Sequence, residues 1–301
     1  MKLMASAAIA VALASCGGGR ARDRSPSKVS TAVPRATTAG DRMLALLPDG
    51  AQLVVEVDLA RLRANPVVGP LVVKVLGSGG IPQLAGFADA DGVVFAAYGL
   101  GTADAATVTL FTAKQALQGA TPIVDNIYGL GAADWLAQVQ SRAAIDNTTG
   151  LLPAKDLVAL REHAMPEGAP GASIRVSARL SFDARIALAR ITGIENAPGQ
   201  LSLWADVADD FAVIIDADST DPGEKAAKHA VKRMSATVQG ALATLAQEPT
   251  IKALGLPSSL SGAKLATRGT WVRTIIAIGP RHLQRVVERA NQFFDSPKEG
   301  S

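Results

Sequence analysis

The stretch from Gln52 to Asp58, which reads QLVVEVD, decides the fold. Its apolar and β-branched residues predict a buried strand. The residues that follow, Leu59 to Gly77, have the apolar spacing of a helix interrupted at Asn65-Pro66, where Asn is expected to cap a second short helix with Pro at its first position. A strand that leads directly into a helix therefore begins the first half of the body.

Three β-prone runs and one more helix complete this half. The runs are Gly92 to Tyr98, Ala106 to Thr112 and Ile123 to Leu130, and the glycines of Gly99-Leu100-Gly101 predict a hairpin between the first two. Ala132 to Ala144 has helical spacing. The first half thus reads β-α-β-β-β-α.

The second half repeats this order and adds a long helix. Asp221 is predicted as the N-cap of that amphipathic helix, with Pro222 at its first position and Glu224 in its first turn. The other predicted elements, in chain order, are a strand over Ser173 to Leu180, a helix over Ser181 to Thr192, strands over Gln200 to Val207 and Phe211 to Ala217, a strand over Gly269 to Ile278, and a final helix with Leu283, Val286, Val287, Ala290 and Phe294 on its apolar face.

These patterns predict an α+β fold made of two divergent β-α-β-β-(α)-β-α repeats. We expect mainly antiparallel sheets with helices on one face, ferredoxin-like in each copy. A few identical or similar residues at corresponding positions support the repeat. Ala60-Arg61-Leu62 corresponds to Ala184-Arg185-Ile186, and Leu136 and Val139 correspond to Leu283 and Val286.

The N-terminus has the pattern of a secretory signal. One positive charge at Lys2 precedes a run of apolar and small residues from Leu3 to Ala14, and Ser15-Cys16 follows. This run is shorter than the roughly 20 residues needed to span a bilayer as a helix. It predicts a cleaved signal peptide rather than a transmembrane anchor.

Leu13-Ala14-Ser15-Cys16 resembles the lipobox of bacterial lipoproteins. The resemblance implies cleavage before Cys16, a thioether-linked diacylglycerol on that cysteine and usually an acylated amine, together enough for stable membrane anchoring. It also implies the outer membrane as the default location, because Gly17 rather than Asp follows the cysteine; the leaflet is left open. The alternative is an ordinary secretory signal, with Cys16 as a free thiol.

The body adds a second and looser resemblance. The segment DLARLRANP, from Asp58 to Pro66, is similar to a stretch in uncharacterised bacterial lipoproteins. That similarity implies no known activity.

A basic tether is predicted between the lipid and the body. Residues 16-42 lack apolar periodicity and carry six Lys and Arg against two Asp, a net charge of +4, so the body is left with −2 of the chain's +3. The tether would reach roughly 25 to 30 Å if it behaves as a flexible coil. Its arginines either contact anionic lipid or keep the segment solvated.

Six segments follow from these patterns. They are a signal peptide at 1-15, the lipidated Cys16 and disordered tether at 16-42, a first repeat at 43-144, a linker at 145-172 with a short helix near 154-164, a second repeat at 173-295 and a disordered tail at 296-301. With a single cysteine, the exported body cannot form an internal disulfide and must depend on its packed core.

The sequence offers no recognisable reaction centre. His163, His229 and His282 are far apart and have no second ligand at metal-binding spacing, so we expect no metal or cofactor and interpret them as exposed helix histidines. No serine occupies a G-x-S-x-G motif. The pairs Gly99-Leu100-Gly101 and Gly129-Leu130-Gly131 are interpreted as turns rather than phosphate-binding loops.

One acidic segment, Asp206 to Glu224, could offer oxygens to calcium through Asp216-x-Asp218-x-x-Asp221. It departs from an EF-hand loop, which needs Gly where Asp221 stands and Glu where Ala227 stands. A solvated hairpin tip followed by a helix cap explains the same residues.

Three functions remain open. The first is a non-catalytic envelope lipoprotein, anchored to the membrane through palmitate-type lipid on Cys16, that binds a protein partner or supports an assembly. The second is a periplasmic carrier of a lipid or other apolar ligand held between the two halves. A hydrolase is the least favoured. The low aromatic content, 4% of residues, weighs against glycoside cleavage in particular, because sugar clefts usually display stacking rings. No nucleic-acid partner is expected.

Overall fold

The computed structural model describes residues 38–77, 85–115, 117–145, 155–169, 171–192, 196–219 and 227–295. In these residues, ten strands form a single antiparallel sheet. The strands are β1 Leu53–Asp58, β2 Gly92–Tyr98, β3 Ala106–Thr112, β4 Thr121–Val124, β5 Ile127–Gly131, β6 Ile174–Arg179, β7 Gln200–Val207, β8 Phe211–Asp218, β9 Lys264–Arg268 and β10 Trp271–Ile278. The helices are α1 Ala39–Leu46, α2 Leu59–Ala64, α3 Gly69–Gly77, α4 Ala133–Ala144, α5 Lys155–His163, α6 Phe182–Thr192, α7 Ala227–Gln247, α8 Pro249–Leu254, α9 Pro257–Ser261 and α10 Pro280–Asp295.

The strand order across the sheet is β4-β5-β3-β2-β1-β6-β7-β8-β10-β9. Each half contributes five strands. Counted outward from the central β1–β6 pair, both halves have the spatial order first, second, third, fifth, fourth. The predicted α+β class and antiparallel pairing are confirmed. The halves share one sheet because β1 pairs with β6, with Val55 opposite Val176.

The helices cover both faces of this sheet, so the prediction of helices on one face is wrong. Val54 and Val57 of β1 point to opposite faces because strand side chains alternate. Val54 packs in a cluster with α1, α4 and α5, on what we call the front face. Val57 packs in a second cluster with α2, α3 and α7 to α10, on what we call the back face. The central strands are apolar on both sides, and both sides therefore need cover.

The two halves differ in where their last helix packs. In α4, Leu136 and Val139 lie in the front-face cluster. In α10, Leu283 and Val286 lie in the back-face cluster. The residues that look equivalent in sequence therefore cover opposite faces of the sheet.

Several boundaries also differ from the sequence predictions. The single strand predicted from Ile123 to Leu130 is two short antiparallel strands, β4 and β5, because Asp125 adopts a left-handed conformation at the turn between them. Helix α1 begins after Thr38, whose side chain caps it, so residues 39–42 are not part of a tether. Asn65 does act as a cap, but α3 begins at Gly69, after a turn that contains Pro66.

The outer strands carry features that discourage pairing with another sheet. Strand β4 is four residues long, contains Pro122 and has an irregular register against β5. Strand β9, which the sequence patterns did not predict, is largely exposed and begins and ends with Lys264 and Arg268. Short, bulged or charged edges are the usual means by which proteins avoid edge-to-edge association.

Candidate functional site

The most extensive polar contacts of the described residues lie on the front face, beneath the linker helix α5. This helix crosses the centre of the sheet and is attached at three points, through Arg161, Ser202 and His163. We call this set of contacts the linker network. Its residues come from both halves of the chain and from the linker between them.

Arg161 provides the first attachment, to the first half. Its guanidinium donates to both oxygens of Glu56 on β1, at 2.7 and 2.8 Å, and lies 2.8 Å from a carboxylate oxygen of Asp41 in α1. Burial alone would lower the pKa of Arg161, but the hydrogen bonds and charges of Glu56 and Asp41 outweigh it and raise that pKa. The arginine therefore stays charged between two carboxylates.

Ser202 on β7 provides the second attachment. Its hydroxyl donates to the carbonyl of Leu160 in α5 and accepts from the backbone N–H of Ala164, 3.1 Å away. Ser202 is fully buried, so these bonds satisfy a polar group that would otherwise be costly in the core. The end of α5 is thereby held directly on the sheet.

His163 provides the third attachment. Its Nδ1 lies 2.8 Å from a carboxylate oxygen of Asp216, and its ring stacks on Trp271 with centroids 4.0 Å apart. Arg273 donates to both oxygens of Asp216, at 2.8 and 2.6 Å. Burial would raise the pKa of Asp216, but the hydrogen bonds from Arg273 and His163 outweigh that effect and hold the pKa below its usual range.

An Asp–His pair of this kind can orient a histidine for proton transfer. Here Asp216 also binds Arg273, so its negative charge is shared between two donors. Within the described residues, the second ring nitrogen of His163 contacts no serine, threonine or cysteine. The arrangement fastens the linker helix to the sheet, and from the described part of the chain it brings no nucleophile to the histidine.

His282 makes a second side-chain arrangement that resembles catalytic geometry. Its Nδ1 lies 3.4 Å from the hydroxyl of Ser259, and its Nε2 lies 2.9 Å from the carbonyl oxygen of Gly255. The backbone N–H groups of Ser259 and Leu260 both donate to the carbonyl of Leu256. Those N–H groups cannot then stabilise an oxyanion beside Ser259, so the contacts are best explained as a tie between α9 and α10.

The prediction of exposed helix histidines is wrong for His282, which is partly buried, whereas His163 and His229 are exposed. His163 and His282 also contact neighbouring elements, which the sequence did not predict. Sequence spacing could not reveal these contacts, because Asp216 lies 53 residues after His163.

The acidic segment is dispersed in the structure. Asp206 accepts two hydrogen bonds of 2.6 Å from Arg61 and one of 2.8 Å from Ser173, while Asp216 belongs to the linker network. Asp221 and Glu224 lie outside the described residues. Within the described part of the chain, no three His, Cys, Asp or Glu side chains are grouped as metal ligands.

The junction between the halves is where an apolar ligand was predicted to bind. Here β1 and β6 pair directly, with Val54 opposite Ser177 and Val57 opposite Ile174. Val57 and Ile174 pack in the back-face cluster, and Glu56 is covered by Arg161 on the front face. The carrier function remains a prediction without a located binding site.

Helix α6 carries three of the seven large apolar side chains that are exposed among the described residues. Phe182, Ile186 and Ile191 are 67%, 37% and 65% exposed, and Ala184 is the buried residue of the helix. Phe182 and Ile186 are four residues apart and so lie side by side on one helix face. The guanidinium of Arg185 lies 5.8 Å from the centre of the Phe182 ring.

Cys16, the predicted lipidation site, lies outside the described residues, and its lipid attachment remains a prediction. None of the described helices is long and apolar enough to cross a bilayer.

Comparisons with known proteins add little to this geometry. No protein-family model matches the chain, and no curated protein matches it. Among solved structures, the chain is similar to one described as "Structure of crystal form I of TP0453", with 9% sequence identity and a TM-score of 0.43. The match covers 85% of this chain and 99% of that chain. A similarity this distant carries no functional conclusion.

Proposed function

We propose that this chain is a non-catalytic lipoprotein of the bacterial cell envelope, anchored through lipid on Cys16, that binds a protein partner through α6. The exposed apolar surface of α6 is the observation that carries the proposal. Large apolar side chains grouped on a folded surface commonly mark protein-binding sites. Phe182 and Ile186 supply such a group on a regular helix.

The first turn of α6 is held in place before any partner binds. The hydroxyl of Ser181 accepts a hydrogen bond from the backbone N–H of Ala184, 3.2 Å away, which caps the helix. The turn between β2 and β3 packs so closely on this end that a Cβ added at Gly101 would lie 2.5 Å from the carbonyl oxygen of Asp183. A helix positioned in this way presents its apolar pair with little further ordering cost on binding.

Site-specific crosslinking in intact cells tests the partner-binding surface. A photoreactive residue at Phe182 should capture a protein that the same residue at exposed Gln138 on α4 does not capture. Adding Ile186→Asp should abolish that capture, and it should leave folding nearly unchanged because Ile186 is partly exposed. Identical capture from both positions, or capture that survives Ile186→Asp, would contradict the proposal.

The anchor is tested separately by palmitate labelling. The native chain should incorporate label and stay with membranes through a high-salt wash, whereas Cys16→Ser should do neither. Equal labelling of the two forms, or a Cys16→Ser chain that stays membrane-bound after a high-salt wash, would refute lipid attachment at this residue.

A further inference from the structure

The charge of the body is divided unevenly along the chain. Residues 227–295 contain ten Lys and Arg against three Asp and Glu, whereas residues 43–226 contain 12 against 21. A chain-wide charge of +3 therefore hides a strongly basic C-terminal part. Its helices α7, α8 and α10 form the layer that covers the back face of the second half.

The outward side of this layer carries a set of exposed cations. They are Lys228 and Lys232 on α7, Lys252 on α8, and Arg281, Arg285 and Arg289 on α10. We call these six residues the cationic layer. None of the six forms an ion pair with another described residue.

Helix stability does not explain this arrangement. Arg281, Arg285 and Arg289 follow one another at four-residue intervals, so they form a row on one face of α10, about 12 Å long. Like charges at this spacing destabilise a helix, and solvated helix faces usually alternate the two signs. Glu288 is the one acidic residue of α10 beside this row. An anionic partner would offset the repulsion.

The shape of the set indicates an extended partner. The exposed cations are distributed over three helices, and the guanidinium of Arg289 lies against Gly255 at the end of α8. A small anion would instead need donors that converge on one point. Phe293, which is exposed near the end of α10, adds an apolar ring beside the arginine row. A basic helix face with an adjacent exposed aromatic side chain is typical of contact with a lipid surface.

We infer that the cationic layer docks on an anionic phospholipid bilayer and so sets the orientation of the anchored body. The choice of lipid over another polyanion rests on the proposed lipid anchor, which keeps the body within reach of the headgroups. The basic tether predicted at residues 16-42 would add to the same attraction. The apolar surface of α6 is on a helix that does not belong to the cationic layer.

Vesicle sedimentation tests the inference without the anchor. The mature chain, residues 16–301 with Cys16→Ser, should bind vesicles of phosphatidylcholine with about a third phosphatidylglycerol, and binding should weaken strongly at high salt. Arg281→Gln with Arg285→Gln should lower the partition coefficient about 25-fold, since each basic residue near such a surface contributes about fivefold.

A matched control removes two positive charges elsewhere. Lys114→Gln with Lys264→Gln changes the net charge equally at exposed positions outside the cationic layer, and it should reduce binding less than about twofold. Equal losses in the two variants would overturn the inference, as would equal binding to vesicles of phosphatidylcholine alone. Binding to heparin without binding to the anionic vesicles would assign the layer to an acidic polymer instead. Because the assay needs neither lipidation nor a partner protein, its failure is distinct from failure of the proposed function.

Discussion

Replacing Asp216 with Asn tests whether the linker network holds α5 on the sheet. Asp216 is 1% exposed and accepts three hydrogen bonds, two from Arg273 and one from His163. Asn has nearly the same shape but no charge, and its amide group presents a donor where the carboxylate presents an acceptor. At least one of the three bonds must therefore be lost, and the positive charge of Arg273 loses its counterion.

The expected cost is about 2–3 kcal/mol in the free energy of unfolding. Breaking a fully buried ion pair by removing one partner costs about 3–5 kcal/mol. The side chain of Arg273 is 35% exposed, so water compensates part of its lost partner and the lower range applies. For a body of this size the melting temperature should fall by roughly 4–10 °C.

Urea unfolding between pH 7 and pH 3 measures the effect. The pKa of Asp216 is lower in the folded chain than its ordinary value of 3.8, so the unfolded chain binds more protons across that interval. The stabilisation from Asp216 is therefore present above about pH 4 and is lost as the pH falls through its folded-state pKa. The difference between native chain and Asp216→Asn should shrink in acid.

Asp209→Asn, at an exposed position in the β7–β8 turn, is the matched control and should change stability by less than about 0.5 kcal/mol. An equally small effect for Asp216→Asn at pH 7 would refute the reasoning. A large difference that persists undiminished at pH 3 would show that packing, and not the carboxylate charge, is responsible.

Three further substitutions test other parts of the structure. Gly101→Ala should lower the free energy of unfolding in urea by about 1–3 kcal/mol, because φ is +85° and the new Cβ would collide with backbone atoms. Gly50→Ala should cost clearly less, because φ is a similar +87° but the space around the new Cβ is open. Tyr98→Phe should cost about 1 kcal/mol by the same assay, because the buried hydroxyl donates to a backbone carbonyl 3.1 Å away. Arg161→Met should cost about 3 kcal/mol by leaving Glu56 unpaired, and adding Glu56→Gln should recover part of that loss.

The central strands could be predicted from sequence because their side chains are apolar over whole runs. Strand β1 was expected at 52–58 and is found at Leu53–Asp58, and the hairpin of β2 and β3 turns at the predicted glycines. Strand β9 escaped prediction because its residues, KLATR, have no continuous apolar run and lie at an exposed edge. The sequence also could not predict which face of the sheet each helix covers, because periodicity reveals the apolar stripe of a helix but not the side of the sheet that the stripe contacts.

The contacts of the linker network were beyond sequence reasoning for a different reason. Asp216 looked like part of an acidic hairpin tip because its sequence neighbours are acidic. In the folded chain its neighbours are Arg273, which lies opposite it on β10, and His163 from the linker. The hydrogen-bond partners and pKa of a carboxylate in a strand depend on the adjacent strands, and local sequence does not reveal the strand order.

The linker network explains how the two halves are combined in one sheet. Arg161 reaches Glu56 on β1 in the first half, and His163, two residues later, reaches Asp216 on β8 in the second. Both contacts depend on the β1–β6, β6–β7 and β7–β8 pairings, which together set the distance between the two carboxylates. Buried ionic contacts of this kind contribute little net stability but can favour one arrangement over others. We therefore expect Asp216→Asn to loosen α5 before the sheet itself opens, with faster amide exchange in residues 157–164 than in β1.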